Sequence, residues 1–149
     1  MGMVTACVFI VVVLLCAHFC TIQYQQWRCR KATELQENEH IQLEQDRVSM
    51  HVRCDDTISS LLTEGLSFRC EGRIVLTNQR LLLGSSFGRL LEFSVAHPGS
   101  IRAMGPRRLL MYGLHPTQKG SLRIELVIDD EQQWENKAIE MGLSPKGNS

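Results

Sequence analysis

Hydrophobic and polar positions fall into three regimes along this chain. From Val4 to Ile22 (VTACVFIVVVLLCAHFCTI) no side chain is charged; from Lys31 to Arg47 polar residues dominate; from about Val48 short apolar runs are punctuated by Gly, Asn and Pro. The first regime predicts a single transmembrane helix. At 1.5 Å rise per residue, about 20 residues cross the roughly 30 Å hydrocarbon core, and in lipid only a helix satisfies the backbone of a single span. The second (KATELQENEHIQLEQDR) lacks Gly and Pro and consists mostly of good helix formers, so it reads as a helical stalk continuing from the span. Leu35, Ile41 and Leu43 do not sustain a heptad, which argues against a coiled coil.

The third regime reads as antiparallel strands. Leu66-Ser67-Phe68 leads into Arg69-Cys70-Glu71-Gly72 as a turn, followed by Arg73–Thr77, the turn Asn78-Gln79, and Arg80–Leu83. Both arms of that hairpin are apolar at successive positions, which predicts cover on both faces or a curled part of the sheet. Gly84 and Gly88 bracket a loop, and Arg89–Val95, Ser100–Met104 and Arg107–Tyr112 resume extended character. Leu122, Ile124, Leu126 and Ile128 alternate at period two, a half-buried strand. Asp129-Asp130 then supplies an N-cap carboxylate for a short helix whose Trp134, Ala138 and Met141 form one apolar face, with Gly142 as its stop. The expected organisation is an anchor over 1–23, a juxtamembrane stalk over 24–47, one small domain over 48–142 and a disordered tail over 143–149.

The flanks of the span set its expected orientation. Arg28, Arg30 and Lys31 follow it and no basic side chain precedes it, so the domain is expected in the cytoplasm, with Tyr24 and Trp27 as interface anchors. A cleaved secretory signal lacks its basic n-region and its small-x-small site here. A lipoprotein signal has no small residue before Cys16 or Cys20, and the myristoylation motif that Met1-Gly2 begins has Ala6 where Ser or Thr is required. Cys20 and Cys29 stand at positions suited to S-acylation. In a cytoplasmic domain Cys54 and Cys70 remain thiols, whereas an inverted topology permits a disulfide between them.

Charge changes the picture through its distribution. The total is neutral, with 16 Lys+Arg against 16 Asp+Glu, which argues against a general nucleic-acid binder. From Leu66 to Arg123 the basic residues Arg69, Arg73, Arg80, Arg89, Arg102, Arg107, Arg108, Lys119 and Arg123 face only Glu71 and Glu92; from Ile124 onward acids prevail. His40, His51, His97 and His115 show no spacing to Cys, Asp or Ser that makes a triad or a metal site. Gly84–Gly88 (GSSFG) superficially resembles a nucleophile elbow but lacks its G-x-S-x-G spacing and following helix, and reads as a hairpin loop. No enzyme, metal or cofactor is expected.

Two segments carry a family resemblance. Glu71–Leu83 (EGRIVLTNQRLLL) is similar to the G-x-[apolar]-x-[apolar]-T-x-x-R-[apolar] hairpin of GRAM-type and bacterial PH-like domains, with Gly72, Ile74, Leu76, Thr77, Arg80 and Leu81 in the matching places. Leu122–Met141 resembles the family's last strand and helix, with Trp134 as the helix Trp. Together they cover about a third of the soluble region. The resemblance implies a mainly β fold, a small barrel or sandwich of the pleckstrin-homology (PH) type closed by one C-terminal helix. It also implies a binding module held against anionic lipid headgroups, for which Arg73, Arg89, Arg102, Arg107, Arg108 and Lys119 are the candidate contacts. The chain departs from the pattern in the loose spacing between Arg102 and Gly120, and in lacking the lysine-rich loop with which lipid-binding PH domains grip inositol phosphates. A tethered adaptor that binds a protein partner through the same fold is the alternative reading.

Overall fold

The computed structural model of the chain describes residues 2–58 and 60–145. Helix α1 spans Gly2–Ala32, and seven strands follow: β1 Ile41–Cys54, β2 Ser67–Thr77, β3 Arg80–Ser85, β4 Gly88–Ser94, β5 Ser100–Gly105, β6 Arg108–Leu114 and β7 Ser121–Val127; helix α2, Glu131–Glu140, closes the chain. All strand pairs are antiparallel, in the order β4-β3-β2-β1-β7-β6-β5, so β1 is the central strand. The fold is mainly β, a half-barrel with a C-terminal helix and an apolar N-terminal helix, and it is compatible with a PH-like fold.

One core fills the concave side. Alternate residues of β1 (Val48, Met50, Val52, Cys54) meet those of β7 (Leu122, Ile124, Leu126), as the period-two pattern requires. Trp134 and Ala138 bring α2 into the same core. Phe93 of β4 lies over Gly99 and over Gly113 of β6, where a Cβ would collide with its ring. Those two glycines let an aromatic ring bridge β4 and β6, which sit far apart in the strand order.

The doubly apolar hairpin has the expected two-sided cover, since Ile74, Val75, Leu76, Leu81, Leu82 and Leu83 are all fully buried. Ile74, Leu76, Leu81 and Leu83 join the core, while Val75 and Leu82, which pair across the strands, lie on the convex face. The C-terminal end of α1 supplies cover there. Gly84 lies under it so closely that an added Cβ would stand 2.7 Å from the Ala32 Cβ and 2.9 Å from the Thr33 Cγ2.

Several expectations are corrected. The stalk is helical only as far as Ala32, where α1 ends: Thr33–His40 is a connecting segment, and Ile41–Arg47 is the first half of β1, paired with Thr77–Ile74 of β2. Its propensities are overridden by pairing with β2; β7 joins β1 only from Ser49 onward. Arg69–Gly72 is not a turn but the middle of the continuous strand β2. Asp130 caps α2 without a side-chain hydrogen bond, in a left-handed conformation at φ 53°. Of the tail, Leu143 and Ser144 are buried, and the Ser144 hydroxyl accepts from the Ile101 amide at 3.0 Å; positions 146–149, Lys146 among them, lie outside the described residues.

α1 is long and apolar enough to cross a membrane, with a candidate span over Ala6–Ala32 whose apolar 18-residue window, of mean hydropathy 2.4, has no buried residue. From Ala6 to Thr21 its side chains are exposed all round, including Phe9 at 69% exposure and Leu14 at 63%. A helix apolar on every side and uncovered by protein suits a lipid surround.

Candidate functional site

Where α1 leaves its apolar stretch, two faces diverge. One carries Tyr24, Trp27, Arg28 and Lys31, spaced so that they stack along the helix. The Tyr24 and Trp27 rings lie 5.9 Å apart, the Lys31 ammonium sits 5.2 Å from the Trp27 centroid, and the Arg28 guanidinium 6.0 Å from that of Tyr24. These are cation–π contacts at the end of the apolar stretch. Cys20 is exposed on the helix, whereas Cys29 is half-buried on its other face.

That other face borders a cleft of about 640 Å³. His18, Ile22, Gln25, Gln26, Cys29 and Arg30 form its helix wall; Asp46 and Arg47 of β1 and Arg69–Arg73 of β2 form its sheet wall; Ser86 and Phe87 of the β3–β4 turn close one side. Arg47 owes its position to the irregularity in β1 between Gln45 and Val48, where it adopts φ 56°. Phe87 is held edge-on to Phe68 at 5.3 Å between centroids. Arg73 is neutralised by Glu44 at 2.5 Å and Asp46 at 3.0 Å. Among the described residues, Arg30, Arg47 and Arg69 have no carboxylate partner, and the cleft is therefore net cationic. Cys70 lines the same cleft, and burial, with a smaller contribution from the neighbouring Cys29 thiol, pushes its pKa up to about 11.

An ion-pair network beside the cleft fastens the segment after α1 to the sheet. Arg80 donates from Nε to Glu39 Oε1 at 2.6 Å and from Nη2 to Oε2 at 3.0 Å, a bidentate pair in which the Glu39 side chain is fully buried. Its Nη1 reaches Glu92 at 2.7 Å; Glu92 also accepts from Arg89, whose Nε donates to the Ala32 carbonyl at the end of α1 at 2.8 Å. A cation on the last helix carbonyls suits the helix dipole. Thr77 completes the corner, accepting from the Gln79 and Arg80 amides at 3.1 and 3.0 Å. The hydrogen bonds from Arg80 hold the Glu39 carboxyl below the usual carboxylate range. Burial opposes the same shift in Glu92, but Arg80 and Arg89 together outweigh it.

The candidate cations therefore separate into groups. Arg73 and Arg89 lie at the α1 seat and are engaged in ion pairs, as is the motif residue Arg80. Arg107 occupies the β5–β6 turn, bonded to Asp129 at 2.8 Å and, through its amide, to Glu131 at 3.0 Å, which ties that turn to the start of α2. Arg102 and Arg108 are exposed on the outer face of β5 and β6. Lys119 follows the far end of β6, so about 20 Å of strand lies between it and Arg108. Arg102, Arg108 and Lys119 do not form one patch. Gly72 packs over Met50, and Trp134 is buried in the core, which makes both structural.

Arg47 and Arg69 are the cleft residues that reading the sequence missed. The available signal was the outward alternation Arg69, Glu71, Arg73 against Cys70, Gly72, Ile74, which marks a strand where a turn was expected. No model of a known protein family matches this chain, and no curated protein matches it.

Proposed function

We propose that this protein is a membrane-anchored, non-catalytic binding module of PH or GRAM type, with α1 in the bilayer and its domain held against anionic lipid headgroups at the cytoplasmic leaflet. The observation that carries this reading is the concentration of cations without carboxylate partners where the apolar stretch of α1 ends: Arg28, Arg30 and Lys31 on the helix, with Arg47 and Arg69 facing it. Each cation near an anionic surface contributes about 1 kcal/mol. Arg102, Arg108 and Lys119 add to the field of the domain at longer range, weakened beyond a Debye length of about 8 Å in physiological salt. The positive flank on the C-terminal side of the span supports a cytoplasmic domain.

The test is the lipid composition around full-length protein reconstituted in mixed zwitterionic and anionic phospholipid, extracted in mild detergent and washed in salt. Enrichment of anionic over zwitterionic lipid supports the reading; co-purified lipid that mirrors the starting mixture refutes it.

A second reading, a tethered adaptor for a protein partner that uses no headgroup, draws on a different face. The outer side of β5–β7 exposes Tyr112, Leu114 and Val127, with Leu114 at 71% exposure, beside Arg102, Arg108 and Arg123. Apolar side chains interleaved with arginine are common at interfaces.

A further inference from the structure

We infer that the cleft between α1 and strands β1 and β2 is a binding site for a single anionic phospholipid drawn from the leaflet that α1 crosses. The inference rests on the headgroup reading above and sharpens it from adhesion of a charged surface to capture of one molecule. From His18 to Arg30 the helix wall runs 12 residues, about 18 Å. It begins at residues of the uncharged stretch, His18 and Ile22, and ends at the first basic residues. The cleft thus passes from the hydrocarbon edge through the headgroup layer, which is some 5–8 Å deep on each side.

Its chemistry changes along the same direction. The helix end near the bilayer presents Ile22, with Phe87 of the β3–β4 turn also exposed to the cleft. The sheet wall presents Arg47 and Arg69, and Arg30 faces them from the helix. Among the described residues, Arg30, Arg47, Arg69 and Arg73 stand against Glu71 and against Glu44 and Asp46, which both hold Arg73, an excess of one positive charge. A phosphodiester carries the complementary charge, and guanidinium forks hold its oxygens in pairs. A volume of about 640 Å³ accepts a phosphate with its glycerol while the acyl chains follow α1 out into the bilayer. A soluble phosphate compound offers the same anion but leaves the Ile22 end without an apolar partner, and this favours the lipid.

The site is lasting only if α1 keeps its angle to the sheet, and the Arg80–Glu39 pair, the Arg89 bond to Ala32 and the close seat on Gly84 all fix it. Arg69 and Arg47 are exposed and outside the core, so replacing them leaves the fold intact.

The experiment uses the full chain in nanodiscs of phosphatidylcholine containing a minority of phosphatidylglycerol, with native mass spectrometry of the released protein counting retained phosphatidylglycerol. Wild type is expected to retain one molecule. Arg47→Gln and Arg69→Gln each lower its occupancy constant about fivefold and the double variant about 25-fold, while Arg123→Gln leaves it unchanged and all melt at the wild-type temperature. Unchanged retention in the double variant, with loss in Arg102→Gln/Arg108→Gln instead, overturns the cleft and keeps the headgroup reading. Absence of phosphatidylglycerol on the wild type overturns both. Displacement of the lipid by equimolar glycerol 3-phosphate shows a soluble phosphate to be the ligand and overturns the lipid assignment.

Discussion

Replacing Glu39 by alanine tests whether the segment after α1 is locked to the sheet. In the native protein its carboxylate is fully buried and accepts two hydrogen bonds from Arg80, at 2.6 and 3.0 Å, and the Arg80 side chain is itself only 6% exposed. Removing one partner of a buried pair costs about 3–5 kcal/mol because the other charge is stranded. Glu92, at 2.7 Å from Arg80, remains as a second counter-ion, which places Glu39→Ala near the lower end, about 3 kcal/mol. For a domain of this size that lowers the melting temperature by roughly 12 °C or more. The assay is thermal unfolding of the full chain in mild detergent, followed by circular dichroism in the β-sheet region. Glu39→Met with Arg80→Met removes both charges and recovers at least half the loss, since the two apolar side chains strand no buried charge and Glu92 keeps Arg89 as its counter-ion. The pH dependence has a fixed sign. A carboxyl whose folded pKa lies below its unfolded value of about 4.3 adds stability above that value and loses it as pH falls through the folded pKa. The gap between wild type and Glu39→Gln is therefore full at neutral pH and narrows on acidification below about pH 4. A shift below about 2 °C for Glu39→Ala, or a gap that widens in acid, refutes the buried-lock argument.

Other consequences follow from the same geometry. Gly84→Ala places a methyl 2.7 Å from the Ala32 Cβ and lowers stability by about 1–3 kcal/mol in the same melt, although Gly84 lies outside the core. Cys70, with its pKa pushed up to about 11, stays unreacted with a thiol-specific disulfide reagent at pH 8 in the folded protein and becomes fully reactive in denaturant. A fragment beginning at residue 48 lacks Glu39 and the half of β1 that pairs with Ile74–Thr77, so it gives no cooperative transition, unlike the intact chain.

What the sequence disclosed, and what it hid, divide along a physical line. The apolar helix was legible from its uncharged length, and the β7 alternation and the Trp134 face from local periods whose burial agrees with them. The Thr77–Arg80 corner was legible as a motif, but Arg80's partner was not: Glu39 lies 41 residues away, in a segment that reads as helix by composition. Ile41–Arg47 became strand because its backbone finds ladder partners in Ile74–Thr77 of β2, a pairing set by topology rather than by local composition. The cleft was hidden for the same reason. Arg47, Arg69 and Arg30 come together only once α1 has been laid across β1 and β2, and composition marked Arg69 as one cation among nine between Leu66 and Arg123.

The account stands on α1 residing in the bilayer with the half-barrel fastened beside it on the cytoplasmic side. The most direct measurement is labelling of an exposed engineered thiol, Lys119→Cys, in intact cells, in a chain whose Cys7, Cys16, Cys20 and Cys29 are replaced by alanine and whose buried Cys54 and half-buried Cys70 remain. The account predicts that an impermeant maleimide modifies the full-length, membrane-bound chain after lysis and not before. Modification before lysis, or a chain found soluble without its first helix, contradicts it.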